Sequence, residues 1–136
     1  MADTANMIKV IAVSGLASLF AYGINRWMVG KLGDRAVKLL VPIGEEGLKT
    51  GFALVFRVSV PITHLGFGVY EAIYDISANP GVDRGKRWLA ALLALLGHTL
   101  FGWLTWFIID LGWASILAIL LVGIVHGCWN MVALQK

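Results

Sequence analysis

Five apolar stretches alternate with short polar breaks along the chain. They run from about Met7 to Met28, Lys38 to Ser59, Ile62 to Ser77, Trp88 to Ile109 and Trp113 to Leu134. A perpendicular membrane span needs about 20 residues. Four of the stretches have that length. The third follows Pro61 and is short enough to tilt or re-enter. Gly33-Asp34 and ANPGVDRG (78–85) carry the residue types of turns and read as loops. The pattern predicts an all-α polytopic transmembrane bundle of about five helices, a four-helix core preceded by an N-terminal helix. Residues 1–136 then form a single integral-membrane domain.

Composition agrees with that reading. Of 136 residues, 59% are hydrophobic and 14% charged, against about 25% charged in ordinary soluble domains. Mean hydropathy is +0.81. The net charge of +3 does not point to nucleic acid, because the basic residues flank apolar spans. Cys128 is the single cysteine, which excludes an intramolecular disulfide and a multi-thiolate metal site. The N-terminus has no basic run and no small-residue cleavage site after its apolar stretch, so that stretch is expected to be retained.

Charge also suggests an orientation. If all five stretches cross, Arg26, Lys31, Arg35, Lys38, Arg84, Lys86, Arg87 and Lys136 fall on one side, against Lys9 and Arg57 on the other. The positive-inside rule makes the rich side cytoplasmic, with the N-terminus outside. Trp88, Trp103, Trp106 and Trp113 suit interfacial or packing positions.

Against this apolar background stand Glu45, Glu46, Lys49, His64, Glu71, His98, His126 and Asn130. A charge at the bilayer centre costs roughly 2.5–3.5 kcal/mol on insertion scales. Counted at 1.5 Å per residue, Glu45, Glu71, His98, His126 and Asn130 lie roughly 6–15 Å below the cytoplasmic end of their helices. Glu45 and Lys49 share a face at i,i+4, as do His126 and Asn130, while Glu46 and Lys49 are i,i+3. Each group has a plain structural explanation. Glu45 and Lys49 can be a register-fixing ion pair, His98 a satisfied core histidine, and His126 with Asn130 interhelical glue. His64, which follows Pro61 near the outer surface, reads as a loop or interface residue, and Arg57, Asp75 and Asp110 read as interfacial charges. The conjunction favours one shared polar chamber, since buried polar groups face each other or water.

Three chemistries use such a set. A carboxylate can activate water as general base and return the proton as acid, with histidine positioning the water and a His/Asn pair donating to an oxyanion. Alternatively, Glu45, His98 and His126 form a His₂-carboxylate zinc set, although no HExxH spacing supports it. The third is proton or ion transfer along the Glu/His chain. Cys128 is a poor nucleophile candidate, being two residues from His126 and therefore off its face.

Four motifs appear in order: EEGLK (45–49) as EExxK, the glycine-rich GFGVYEAIYD (66–75), GHTLFGWLT (97–105) as HxxF, and HGCWN (126–130) as HxxxN. In order and approximate spacing they resemble the PrsW family of intramembrane proteases, within the larger group of CAAX prenyl endopeptidases and Abi proteins. The likeness covers about residues 38–134. The CAAX/Abi pattern fits less well, because position 50 is threonine where it has arginine and position 94 is alanine where it has phenylalanine. The resemblance implies a glutamic-type intramembrane endopeptidase acting on a membrane-anchored protein or peptide. It implies Glu45 and His98 around the attacking water and His126 and Asn130 at the oxyanion, with Glu46 completing the catalytic pattern and Lys49 and Glu71 supporting it. No cofactor is expected, with zinc as the alternative. The expected location is a bacterial or archaeal plasma membrane, with the bilayer itself as a partner. Two non-enzymatic readings stand beside it: a proton- or ion-conducting protein, and a scaffold that binds other membrane helices. GLKTG (47–51) is a GxxxG expected to pack inside the bundle.

Overall fold

The structure, a computed structural model, describes residues 2–33, 38, 40–78 and 80–133. Asp34, Arg35, Asn79, Leu134 and Lys136, named above in loops, spans or the charge count, lie outside the described residues. Among the described residues five helices follow one another: α1 (Ala2–Leu32), α2 (Leu40–Val55), α3 (Val60–Ser77), α4 (Arg84–Asp110) and α5 (Ser115–Ala133). There is no strand among the described residues. The fold is an all-α bundle, and α1, α4 and α5 are long and apolar enough to cross a membrane.

Helix ends follow local chemistry. Pro61 lies in the first turn of α3, where its missing N–H costs nothing. The third stretch is therefore a continuous helix of 18 residues that begins at Val60, two residues before the sequence reading placed it. Asp83 caps α4 by accepting from the Lys86 amide. The Arg87 guanidinium donates to the Ile76 carbonyl at 2.7 Å near the end of α3, tying the two helices across their loop. The last turn of α2 closes through Val58 N–H to Ala53 O at 2.9 Å and Arg57 N–H to Leu54 O at 3.2 Å, with Arg57 at φ 53°. This is a Schellman cap whose left-handed position usually holds glycine. The conformation costs a side-chain-bearing residue about 1–2 kcal/mol, partly offset by the greater freedom glycine has when unfolded. Arg57→Gly is expected to stabilise the protein by roughly 0.5–1 kcal/mol, read as a raised unfolding midpoint in detergent.

Helices successive along the chain alternate in direction. Asn25 meets Glu45 and Phe20 meets Phe52, so α1 and α2 are antiparallel. Ser14 bonds the Thr63 carbonyl and Tyr22 packs on Tyr74, so α1 and α3 are parallel. The α3–α4 and α2–α5 pairs come close where glycine allows it. A side chain at Gly102 would meet Pro61 Cα at 3.1 Å, and one at Gly123 would meet Ile43 Cα at 2.9 Å. The GxxxG of α2 is not such a contact. Gly47 reaches Ile119 at an ordinary distance and Gly51 has open space beside it.

The interior is the polar part of this molecule. Lys49, His64 and Glu46 head the fully buried side chains by volume. The outer surface carries exposed leucine, isoleucine, valine and phenylalanine, with Trp88, Trp103, Trp106 and Trp113 all exposed. A soluble bundle distributes these groups the other way. With lipid as solvent, apolar surface can face outward and polar groups collect inside.

Candidate functional site

The inner face of α2 organises the site. Pro42, Glu45, Glu46, Lys49, Thr50 and Ala53 are all buried, and their spacing is that of one helical stripe. The other four helices each bring a polar group to it: Asn25 from α1, His64 and Glu71 from α3, His98 from α4 and His126 from α5. Of the five residues expected at a common depth, Glu71 meets His98 and Glu45 approaches His126, while the Asn130 side chain makes no hydrogen bond to them.

Glu46 is the hub. Its Oε1 accepts from Lys49 Nζ at 2.5 Å and from His126 Nδ1 at 3.0 Å. Lys49 also reaches His98 Nδ1 at 2.9 Å, and its nitrogen stands 4.6 Å from the centre of the Phe67 ring. All three ammonium protons therefore have an acceptor, two conventional and one aromatic. His98 Nε2 bonds the Glu71 carboxylate, whose side chain is 41% exposed. His126 stacks on Phe101 with ring centres 4.7 Å apart, and its Nε2 lies 3.9 Å from Glu45 Oε2. The other oxygen of Glu45 accepts from Asn25 Nδ2 at 2.5 Å.

These partners assign the two histidine tautomers, because the hydrogen bond at one ring nitrogen fixes the proton at the other. An ammonium only donates. His98 Nδ1 is therefore an acceptor, and Nε2 carries the proton that points at Glu71. A carboxylate only accepts. His126 Nδ1 therefore carries a proton, and in the neutral ring its Nε2, 3.9 Å from Glu45 Oε2, is the acceptor nitrogen.

His64 is not the loop or interface residue expected from its place near Pro61. It is wholly buried, with Nε2 3.1 Å from Thr50 Oγ1 and Nδ1 facing Glu46 Oε2 at 3.4 Å. The close approach of α4 at Gly102 covers it. Asn130 is half-buried one turn beyond His126, and its side chain makes no hydrogen bond among the described residues. Cys128 is exposed. Sequence reasoning missed Asn25 and Thr50 and placed His64 outside the chamber. Asn25 had a signal, since Ser14, Ser18 and Asn25 fall at i, i+4 and i+11 and mark one polar stripe on α1.

A cavity of about 790 Å³ opens between α1 and α3, within the range of small-molecule and peptide sites. Ser18, Tyr22 and Asn25 line it from α1, Phe67 and Glu71 from α3, and Glu45 from α2. The cleft is mostly apolar, and its lining includes the two carboxylates of Glu45 and Glu71.

The zinc alternative can be tested on these atoms. Glu45, His98 and His126 each offer one donor atom, and the three lie within 4.8 Å of one another. His126 suits a metal, with a free Nε2 and a carboxylate behind Nδ1. His98 does not. Its Nδ1 lone pair is taken by Lys49, and its Nε2 bears a proton. The positions fit a metal, but the donor set does not.

The chain matches no family model, no curated protein and no solved structure.

Proposed function

We propose that this chain is an intramembrane endopeptidase that hydrolyses a peptide bond of a membrane-anchored substrate with a glutamate-activated water. The observation that carries the proposal is Glu45. It lines the α1–α3 cleft, with one carboxylate oxygen held by Asn25 and the other 3.9 Å from His126 Nε2. Glu45 takes a proton from water as the hydroxyl adds to the scissile carbonyl. It then returns that proton to the departing nitrogen, leaving a carboxylic acid and an amine, with Glu45 again a carboxylate. His98 Nε2–H and the Asn130 amide supply donors for the oxyanion. In this division His126 stands on the base side and His98 on the oxyanion side, the reverse of the roles the resemblance implies. Glu71 holds the His98 proton in the free protein and yields it as the oxyanion forms. The PrsW resemblance of the four motifs supports the same class, and a bacterial or archaeal plasma membrane is the expected location.

The test compares new peptide termini in membranes of cells expressing the wild type or Glu45→Gln at matched levels. Termini found only with the wild type support hydrolysis and identify the substrate. Identical termini, with both proteins folded, overturn it.

The cleft makes a separate prediction. Ser18→Trp fills it with an indole at a distance from Glu46 and the histidines. Cleavage is expected to fall about tenfold, on the order of 1.4 kcal/mol of lost binding, with unfolding unchanged. An unaffected rate would place substrate elsewhere.

One observation favours a second reading. His64, Glu46, His126 and Glu45 follow one another within 4 Å, a chain of groups suited to proton transfer. Proton flux in liposomes that is lost in Glu46→Gln would support conduction, and its absence would remove that reading.

A further inference from the structure

We infer that Lys49 is a metal-excluding residue, and that removing its ammonium converts Glu45, His98 and His126 into a working divalent-cation site. The inference concerns the same chamber as the proposed peptidase but does not depend on peptide hydrolysis. The three donor atoms already stand within 4.8 Å of one another. Their identity, two imidazoles and a carboxylate, suits zinc or cobalt with an open fourth position. What disqualifies the set is one proton. Lys49 Nζ sits 2.9 Å from His98 Nδ1 and 2.5 Å from Glu46 Oε1. The ammonium, anchored by Glu46, can only donate to the imidazole. Were His98 to move its proton to Nδ1 and release Nε2 for a metal, two donors would face each other in a buried site. The metal's own charge would add repulsion against the same ammonium.

Glutamine reverses each of these conditions. In Lys49→Gln the amide oxygen can accept from His98 Nδ1–H, leaving Nε2 free to ligate. His126 keeps Glu46 behind its Nδ1, so both imidazoles then have the outer partner that metal-bound histidines usually have. Charge also balances, because a divalent ion replaces the lost ammonium beside Glu45 and Glu46.

The test titrates purified protein in detergent with Co(II), whose visible absorption reports tetrahedral nitrogen and oxygen ligation. Lys49→Gln is expected to bind one equivalent on the order of 100-fold more tightly than wild type. Lys49→Gln/His126→Ala should lose that gain, and Lys49→Arg, which keeps a donor, should behave as wild type. Equal affinity in wild type and Lys49→Gln overturns the inference. If Lys49→Gln proves too unstable to purify, ¹⁵N chemical shifts of the wild-type histidines decide it. His98 is expected in the Nε2–H form and His126 in the Nδ1–H form, and His98 found in the Nδ1–H form overturns it. Neither readout involves cleavage, so failure of the peptidase reading leaves this result standing, and the converse holds.

Discussion

Glu46→Gln is expected to destabilise the protein by about 3–5 kcal/mol, the usual cost of breaking a buried ion pair by removing one partner. Glu46 and Lys49 are both fully buried, so no water can replace the lost carboxylate. The glutamine oxygen still accepts one bond. The ammonium of Lys49, however, is left facing a neutral amide and two uncharged rings. Lys49→Met should cost a similar amount, because it strands the Glu46 carboxylate. The double variant Glu46→Gln/Lys49→Met removes both charges together. Exchange of a buried pair for neutral groups is often near-neutral, so it should recover most of the loss. Unfolding of the four proteins in mixed micelles gives the coupling energy directly. Additive losses would mean that the pair is not the anchor its geometry describes.

This arrangement explains which parts of the molecule were legible from the chain. Helices were readable because lipid-facing residues form long apolar runs and loops carry Gly, Pro, Asn and Asp. The buried stripe of α2 was readable because Glu45, Glu46 and Lys49 recur at helical spacing. The GxxxG reading did not transfer. Small residues mark a contact only where a second helix arrives, and α5 meets α2 through its own Gly123 against Ile43. The pairings across the chamber were out of reach for a related reason. His126 meets Glu46 across 80 residues, and Lys49 meets His98 across 49. Local spacing says nothing about which ring nitrogen turns to which partner. That choice separates a donor from an acceptor at His98, and so decides between oxyanion chemistry and metal ligation. His64 was misread because it follows Pro61 at the outer end of its helix, a place usually near the surface. Here α4 lies close over the start of α3 at Gly102 and encloses it.

Glu45→Gln should leave the fold intact and abolish cleavage, the opposite profile from its neighbour. Glutamine matches the shape of glutamate, its oxygen can still accept from Asn25, and its amide can donate to the lone pair of His126 Nε2. The stability change is therefore expected to stay within about 0.5 kcal/mol. A positioned general base contributes typically ~10²–10⁴-fold to rate, or about 2.7–5.4 kcal/mol of barrier. An amide cannot take the proton from water, so cleavage of the identified substrate should fall by that factor. Binding of the substrate in the cleft should be unaffected, which places the loss in kcat and not in KM. The adjacent pair thus supplies its own control. If Glu45→Gln lost stability as Glu46→Gln does, both carboxylates would be structural. If Glu45→Gln retained cleavage, the base would have to be sought elsewhere, with His126 Nε2 first in line.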